Sequence, residues 1–438
     1  MAFDSQEMRR RRIRREEDRK RRQQKAAQQK KILIRLGIAG VVLILVGVLI
    51  WSVSREQPGG PSDPVQNMTQ APVVTNPPVT QPPETVPKET EPTTVIHLVA
   101  GGDLNINDAT VAGGGLSYDY GSVFLDVAHL LANADIAALN FEGILYGEPY
   151  GTEFGSAPQQ MVKALSNAGV DLLQAANSRS ISNGLLGLTA TLQSIRNAGM
   201  EPLGAYATNE EFEKSGGYTI RHVEGIKIAF VAFTKGMDGM ALPEGSEKCV
   251  NLLYKDYSTH YQEVDTQGIT DILERLQEEE APDLVVAMLH WGSEFNDELS
   301  KTQKQICALM QEQGVDAIIG THSHYVQQID YDPETGKFVA YSLGDFLSDA
   351  KTAGTEYSIL LDLEITKDNF TGQTRVTDFS YTPIFSAVDP EDGTIRVLRI
   401  HQAMEAYESN FLNRVPKDIY DDMAYALGRI EDRVTADE

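Results

Sequence analysis

Cysteine is nearly absent from this 438-residue chain, which contains only Cys249 and Cys307. Two thiols can form at most one bridge, so a disulfide framework is excluded as a source of stability. Both read as ordinary buried or half-buried thiols, and they leave the cellular compartment open. Positive charge is scarce as well once the first 56 residues are passed: residues 57–438 carry 23 Lys/Arg against 57 Asp/Glu. So acidic a segment repels phosphate backbones and anionic lipid, which argues against a nucleic-acid partner. Histidine is limited to eight residues, and five of them (His97, His129, His222, His260 and His401) stand in no chemical context. No convincing internal repeat occurs. The length and the 41% hydrophobic fraction allow one large folded domain, or two ordinary ones, plus extensions.

The positive charge that exists is concentrated at the start. Residues 1–31 hold 13 Lys/Arg against five Asp/Glu, including Arg9, Arg10, Arg14, Arg15 and Arg21. Such a tail suits RNA or the cytoplasmic flank of a membrane segment, and the adjoining residues favour the second. Residues 36–53 are uncharged and almost wholly apolar, long enough to span a bilayer with slight tilt or snorkelling at Arg35 and Arg55. Trp51 lies near the outer end, where an amphipathic ring favours the interface. A cleaved signal peptide fits less well, because the apolar run exceeds a usual h-region. The expectation is a basic cytoplasmic tail (1–35), an uncleaved signal anchor (36–53) and a cell-membrane protein whose main domain is outside the cell. Residues 54–93 are rich in Pro and Thr and cannot bury a core. At about 3.1 Å per residue this linker would hold the domain on the order of 100 Å from the bilayer.

From residue 94 onward short apolar runs (95–100, 135–139, 170–174, 226–233, 284–289, 317–319 and 338–341) alternate with helical periodicity, as at 187–198 and 268–279. This alternation predicts α/β architecture over residues 94–400, followed by an acidic helical segment at 401–438. Polar residues able to bind metal recur just past the strand ends, where open α/β sheets build their sites. The first run ends in Gly102-Asp103 and the second in Asn140-Phe141-Glu142-Gly143. Then come His290, Trp291, Gly292 and Glu294 in HWGSE, His322 and His324 in IIGTHSH, and Ser342, Gly344 and Asp345 in YSLGDF. Any one histidine would read as a satisfied or exposed side chain. A His-x-His directly after an apolar strand can instead bring two imidazoles to one centre. With Asp103, Glu142 and His290 it makes a mixed nitrogen and oxygen site for a divalent transition metal credible.

These segments, in this order and spacing over roughly residues 95–349, resemble the CapA family of bacterial capsule-synthesis proteins. That family includes the poly-γ-glutamate capsule proteins and belongs to the calcineurin-like metallophosphatase superfamily. The resemblance implies a four-layer αββα sandwich and makes Asp103, Glu142, His290, His322 and His324 the candidate metal ligands. It also implies divalent manganese, iron or zinc, with one ion rather than two left open. Two metals about 3.5–4 Å apart can clamp a phosphoryl-like oxyanion, while a neighbouring histidine protonates the leaving group.

One loop departs from the family pattern. Where the family reads approximately A-N-N-H-x-x-D-x-G, this chain has Ala176, Asn177, Ser178, Arg179, Ser180, Ile181, Ser182, Asn183 and Gly184. Asn177 and Gly184 are kept. Ser178 replaces an expected ligand and is a weak neutral one. Arg179 replaces the catalytic histidine and stays protonated, so it is a poor acid–base. It can still contact an anionic group. Asp345, where the family more usually has Asn, is expected to hydrogen-bond a ligand histidine. Asn140 and Asn105 could touch the centre but read first as turn caps, and Trp291 reads as packing at least as much as a pocket wall.

Two readings are open. In one, the chain is a metal-binding surface protein in capsule or envelope-polymer synthesis with weakened phosphatase-type activity. In the other, it is a catalytically silent scaffold or polymer-binding subunit. Partners expected from the resemblance are a capsule or cell-wall polymer and other membrane-bound capsule-synthesis proteins.

Overall fold

The computed structural model describes residues 92–153, 155–410 and 415–435. The expected basic tail, the anchor at 36–53 and nearly all of the linker lie outside the described residues. No helix of the described residues is long and apolar enough to cross a membrane.

Fourteen strands occur among the described residues. In chain order they are β1 (Thr93–Asn105), β2 (Ile136–Glu142), β3 (Leu172–Gln174), β4 (Glu201–Leu203), β5 (Thr219–Val223), β6 (Ile226–Thr234) and β7 (Leu284–His290). They continue with β8 (Ala317–Thr321), β9 (Ile329–Asp332), β10 (Lys337–Ala340), β11 (Asp345–Leu347), β12 (Tyr357–Asp368), β13 (Thr374–Val388) and β14 (Ile395–Arg399). They form two sheets. One runs β14-β13-β12-β1-β2-β3-β4 with β11 paired to β1, and the other runs β5-β6-β7-β8-β10-β9. The strands β1 to β4 are mutually parallel, as are β6, β7, β8 and β10.

Period-two alternation within continuous apolar runs explains why these strands stack two sheets face to face. In β6, Ile228, Phe230 and Ala232 point into a cluster shared with Leu98 and Ala100 of β1, Ala138 of β2 and Val286 and Met288 of β7. The intervening Ala229, Val231 and Phe233 point the other way, onto helices Thr266–Glu280 and Lys301–Glu312. Those helices present Ile269, Ile272, Leu273 and Leu276, and Ile306 and Met310, at helical spacing. On the far face of the first sheet, Val99, Ala137, Leu139 and Leu173 are covered by Met161, Val162 and Leu165 of helix Gln159–Asn167. The order of layers is helix, sheet, sheet, helix. Each large apolar side chain buried this way contributes about 1.5–3 kcal/mol, so the doubly buried strands dominate the core.

The acidic C-terminal segment packs on this body. Met423, Ala426, Ile430 and Val434 of helix Lys417–Val434 form an apolar stripe that joins the cluster between the sheets, beside β12 and β13. Cys249 and Cys307 are buried free thiols.

Candidate metal centre

Strand register brings the polar residues together. Across the first sheet Asp103 pairs with Asn140 and, on its other side, with Asp345, while Asn105 pairs with Glu142. In the second sheet His290 closes β7 beside Thr321, the last residue of β8, and His322 comes immediately after it. Apart from Asp345, which opens β11, these positions lie at or near the C-terminal ends of parallel strands, where the pairing stops and side chains are free to converge.

Asp103 is the hub. It is fully buried, and its Oδ1 accepts from Asn140 Nδ2 at 2.5 Å while its Oδ2 accepts from the His322 backbone N–H at 2.8 Å. His290 Nδ1 lies 3.5 Å from Oδ1, and His324 Nδ1 lies 3.7 Å from Oδ2. Asn140 is fixed in orientation because its Oδ1 accepts from Asn177 Nδ2 at 3.1 Å. Its expected role as a turn cap is therefore wrong; Asn107 caps the nearby turn, and Asn140 bridges Asp103 and the Asn177 loop. The cause is period-two geometry: Asn140 sits two residues before Glu142 on the same face of β2.

The histidines are each oriented by a second contact. His290 Nδ1 lies 3.0 Å from Thr321 Oγ1 and 3.1 Å from Asn140 Nδ2, which leaves Nε2 facing Glu142 Oε1 at 3.6 Å. A proton on Nδ1, accepted by Thr321 Oγ1, frees Nε2 as a ligand. His324 Nδ1 is held by Asp345 Oδ1 at 2.8 Å. Phe295 stacks on the His324 ring with centroids 5.2 Å apart, and its backbone N–H donates to Ser323 O at 2.8 Å. His322 and His324 have φ of 88° and 61°, a left-handed backbone that non-glycine residues seldom adopt and that costs energy.

Electrostatics here are set by burial and charge. Burial opposes ionisation of Asp103, but its bond to His290 and the charges of His290 and His324 outweigh that and hold its carboxyl below the usual range. Burial pushes Asp345 up to about 7, with His324 pulling against it. Burial lowers His324, yet Asp345, Glu142 and Asp103 outweigh this and raise it well above the ordinary imidazole value. His322 is pushed well below that value, first by burial and then by the charges of His290, Lys235 and His324.

Three buried atoms in this cluster have no hydrogen-bond partner: Glu142 Oε2, His290 Nε2 and His322 Nδ1. An unpaired polar atom in the interior costs about 1–3 kcal/mol, so a ligand that meets these atoms is favoured. Ligand atoms of Glu142, His322 and His324 lie within 4.8 Å of one another, as do those of Asp103, His324 and Asp345. A cation satisfies this arrangement, and the mixed imidazole and carboxylate set suits a divalent transition metal. The expected ligands Asp103, Glu142, His290, His322 and His324 thus lie together, with Asp345 bonded to His324 and within reach of a second ligand set.

Around this centre the placements vary. Ser178 is buried and its Oγ donates to Glu142 Oε1. Arg179 is partly exposed and its guanidinium pairs with Asp238 at 3.4 Å. Trp291 belongs to the packing: it is buried, donates to Tyr341 O at 2.8 Å and stacks on that ring. Asn105 is held near its own turn, accepting from Asn107. Glu294 is exposed. Sequence reasoning missed Thr321 and Lys235, each a strand-end polar residue next to a ligand; their position after an apolar run was the available signal.

Glycine has a strict role at Gly102. A Cβ there would lie 1.7 Å from Gly344 O, the same carbonyl that accepts from the Asp103 N–H at 3.0 Å. Gly102→Ala is expected to destabilise the chain by roughly 3 kcal/mol and to displace Asp103. Urea unfolding of the variant, alongside its metal content, checks both effects.

A layered α/β domain with buried histidines and carboxylates gathered near its strand ends defines a candidate divalent-metal site. The sequence model of the family described as "Bacterial capsule synthesis protein PGA_cap" matches residues 97–350, and the chain belongs to that family. It is similar to the capsule biosynthesis protein CapA of Bacillus anthracis, at 26% identity over 284 residues, covering 61% of this chain and 64% of that one. It is also similar to the PGA biosynthesis protein CapA of Bacillus subtilis (strain 168), at 25% identity over 262 residues, covering 58% and 64%. The chain therefore spans about 64% of the length of these relatives. Among solved structures it is similar to a phosphatase from Mycoplasma pneumoniae, with 16% identity, a TM-score of 0.42 and coverage of 68% of this chain and 96% of that one. A 5'-nucleotidase precursor from Thermus thermophilus matches with 14% identity, a TM-score of 0.39 and coverage of 72% and 58%.

Proposed function

We propose that this chain is a membrane-anchored capsule or envelope-polymer biosynthesis protein whose outer domain holds a divalent metal, manganese, iron or zinc, and engages an anionic group of the polymer. Orphaned, buried ligand atoms on Glu142, His290 and His322, two of which belong to residues of the convergent Glu142, His322 and His324 group, carry this reading. Membership of the capsule synthesis family supports the polymer, and the apolar stretch at 36–53 supports the anchor, with the N-terminus in the cytoplasm. Asp103, Glu142, His290, His322 and His324 would hold the ion, and Asp345 would orient His324. Such an ion would polarise a phosphoryl or carboxyl oxygen of the substrate. The protein's own contribution is to orient: Asp103 fixes Asn140 and the His322 backbone, Thr321 fixes the His290 tautomer, and Phe295 covers the His324 ring. No group at position 179 can relay a proton, because a guanidinium stays protonated. We therefore infer weakened hydrolysis.

A second reading is favoured by one observation. Position 179, directly after the Ser178 that bonds Glu142, carries a permanent charge in place of a proton-relaying group, which suits a subunit that grips polymer without cleaving it. Other membrane-bound capsule-synthesis proteins would be its partners.

Metal analysis of the full-length chain tests the central claim. Near-stoichiometric manganese, iron or zinc is expected, with loss of at least about 100-fold in affinity in His322→Ala. No metal under any loading condition would sink the proposal.

A further inference from the structure

Lys235 comes directly after the last residue of β6, and its backbone N–H donates to the carbonyl of His290 at 2.8 Å. The register between β6 and β7 sets this contact, since Thr234 pairs with His290. The side chain then turns toward the segment that follows His290. Its ammonium donates to Gly292 O at 2.7 Å and lies over the Tyr261 ring, 4.8 Å from the centroid. The backbone is closely packed there: a Cβ on the next residue, Gly236, would lie 2.3 Å from Tyr257 O and 2.5 Å from the Tyr261 ring. No carboxylate of a described residue approaches the ammonium to within 4.0 Å. The acidic groups facing it, Glu294 and Asp238, act only at longer range. Of three N–H donors, one is thus committed to Gly292. The backbone bond to His290 and the ammonium's bond to Gly292, two residues further along, place it beside a candidate ligand.

The contrast with Arg179 is informative. That guanidinium is already engaged by Asp238, whereas Lys235 is a half-buried cation with donors to spare. In a domain with so large an acidic excess, an anionic polymer can approach the centre only where local cations offset the repulsion. We infer that Lys235 is a positioning residue that receives an oxyanion of the substrate, a phosphoryl or carboxylate group, beside the metal centre. This inference rests on the reading that the centre engages an anionic group.

Isothermal titration of the full-length chain with inorganic phosphate, and separately with a γ-linked glutamate trimer, tests it. Both titrations are run on metal-loaded and on metal-stripped protein. Lys235→Met is expected to weaken binding of at least one probe about tenfold, with metal content unchanged, and Lys235→Arg to stay within about threefold of the unaltered chain. A Lys-dependent affinity for phosphate alone identifies a phosphoryl group; for the trimer alone, a carboxylate. Unchanged affinity for both probes in Lys235→Met overturns the inference, as does an unaltered chain that binds neither. A loss that appears only together with a fall in metal content would also overturn it, assigning Lys235 to holding the Gly292 loop. Failure of the unaltered chain to take up metal counts against the metal reading instead, because the Lys235 dependence is still read in stripped protein.

Discussion

Asp103→Asn should reduce metal affinity at least about 100-fold while leaving the number of heavy atoms at the hub unchanged. In the native site both carboxylate oxygens accept from fixed N–H groups, Oδ1 from Asn140 and Oδ2 from the His322 backbone. An amide has only one acceptor oxygen. If it faces Asn140, its NH2 meets the His322 N–H; if it faces His322, its NH2 meets Asn140. Asn140 cannot flip to relieve the clash without losing the bond that its own Oδ1 accepts from Asn177. One buried donor is therefore unpaired in either orientation, at a cost of about 1–3 kcal/mol. The centre also loses a carboxylate beside His290 and His324, and with it the charge that compensates a cation. Plasma mass spectrometry of the loaded variant reads the metal, and urea unfolding of stripped protein reads the donor clash. A variant with native metal content and affinity would show that Asp103 only organises the strand ends.

How much of this is legible in the sequence depends on burial. Strands such as β6 and β7 are covered on both faces, so they appear as unbroken apolar runs whose bounds agree with the strands within a residue or two. The strands β12 and β13 alternate between buried and partly exposed positions, and their pairing is local and antiparallel; none of the apolar runs marks them. The three-residue β11 is too short to carry a pattern, yet it is what sets Asp345 against Asp103. Helix formation in the C-terminal segment is readable, but its docking is not. That depends on a four-residue stripe, Met423 to Val434, meeting an inner sheet face already built from residues far away in the chain.

The site divides in the same way. His322 and His324 stand out by spacing, because two imidazoles on one short loop have few structural uses. Asn140 does not, since an Asn near a strand end more often closes a turn. Only the register of β1 against β2 reveals that it faces Asp103. The Arg179 and Asp238 pair joins two loops with no shared motif, and the same holds for Lys235 over Tyr261. Contacts of this kind come from topology and are invisible to periodicity.

The loop at 177–184 gives the second large effect. Ser178→Asn combined with Arg179→His should raise hydrolysis of a generic phosphodiester about 100-fold. The loop backbone does not depend on either side chain being replaced. Asn177 Oδ1 accepts from the Arg179 backbone N–H at 3.0 Å, Ser180 Oγ donates to Ala175 O at 2.6 Å, and Asn177 Nδ2 donates to Phe141 O at 2.7 Å. The replacements therefore enter a preformed turn. Ser178 Oγ now reaches only as far as Glu142, where it donates to Oε1 and leaves Oε2 without a partner. An asparagine carbonyl is a better neutral ligand than a hydroxyl, and it releases Glu142 from that bond. Histidine at 179 supplies a group that titrates near neutrality and can donate a proton to a leaving oxygen, which a guanidinium cannot. It also breaks the ion pair with Asp238, an exposed contact worth little to stability. Each single variant should give a smaller gain than the pair, since metal retention and proton transfer limit the rate in series. If the double variant takes up more metal yet stays inert, the obstacle to hydrolysis lies outside this loop, and the polymer-gripping reading becomes the stronger one.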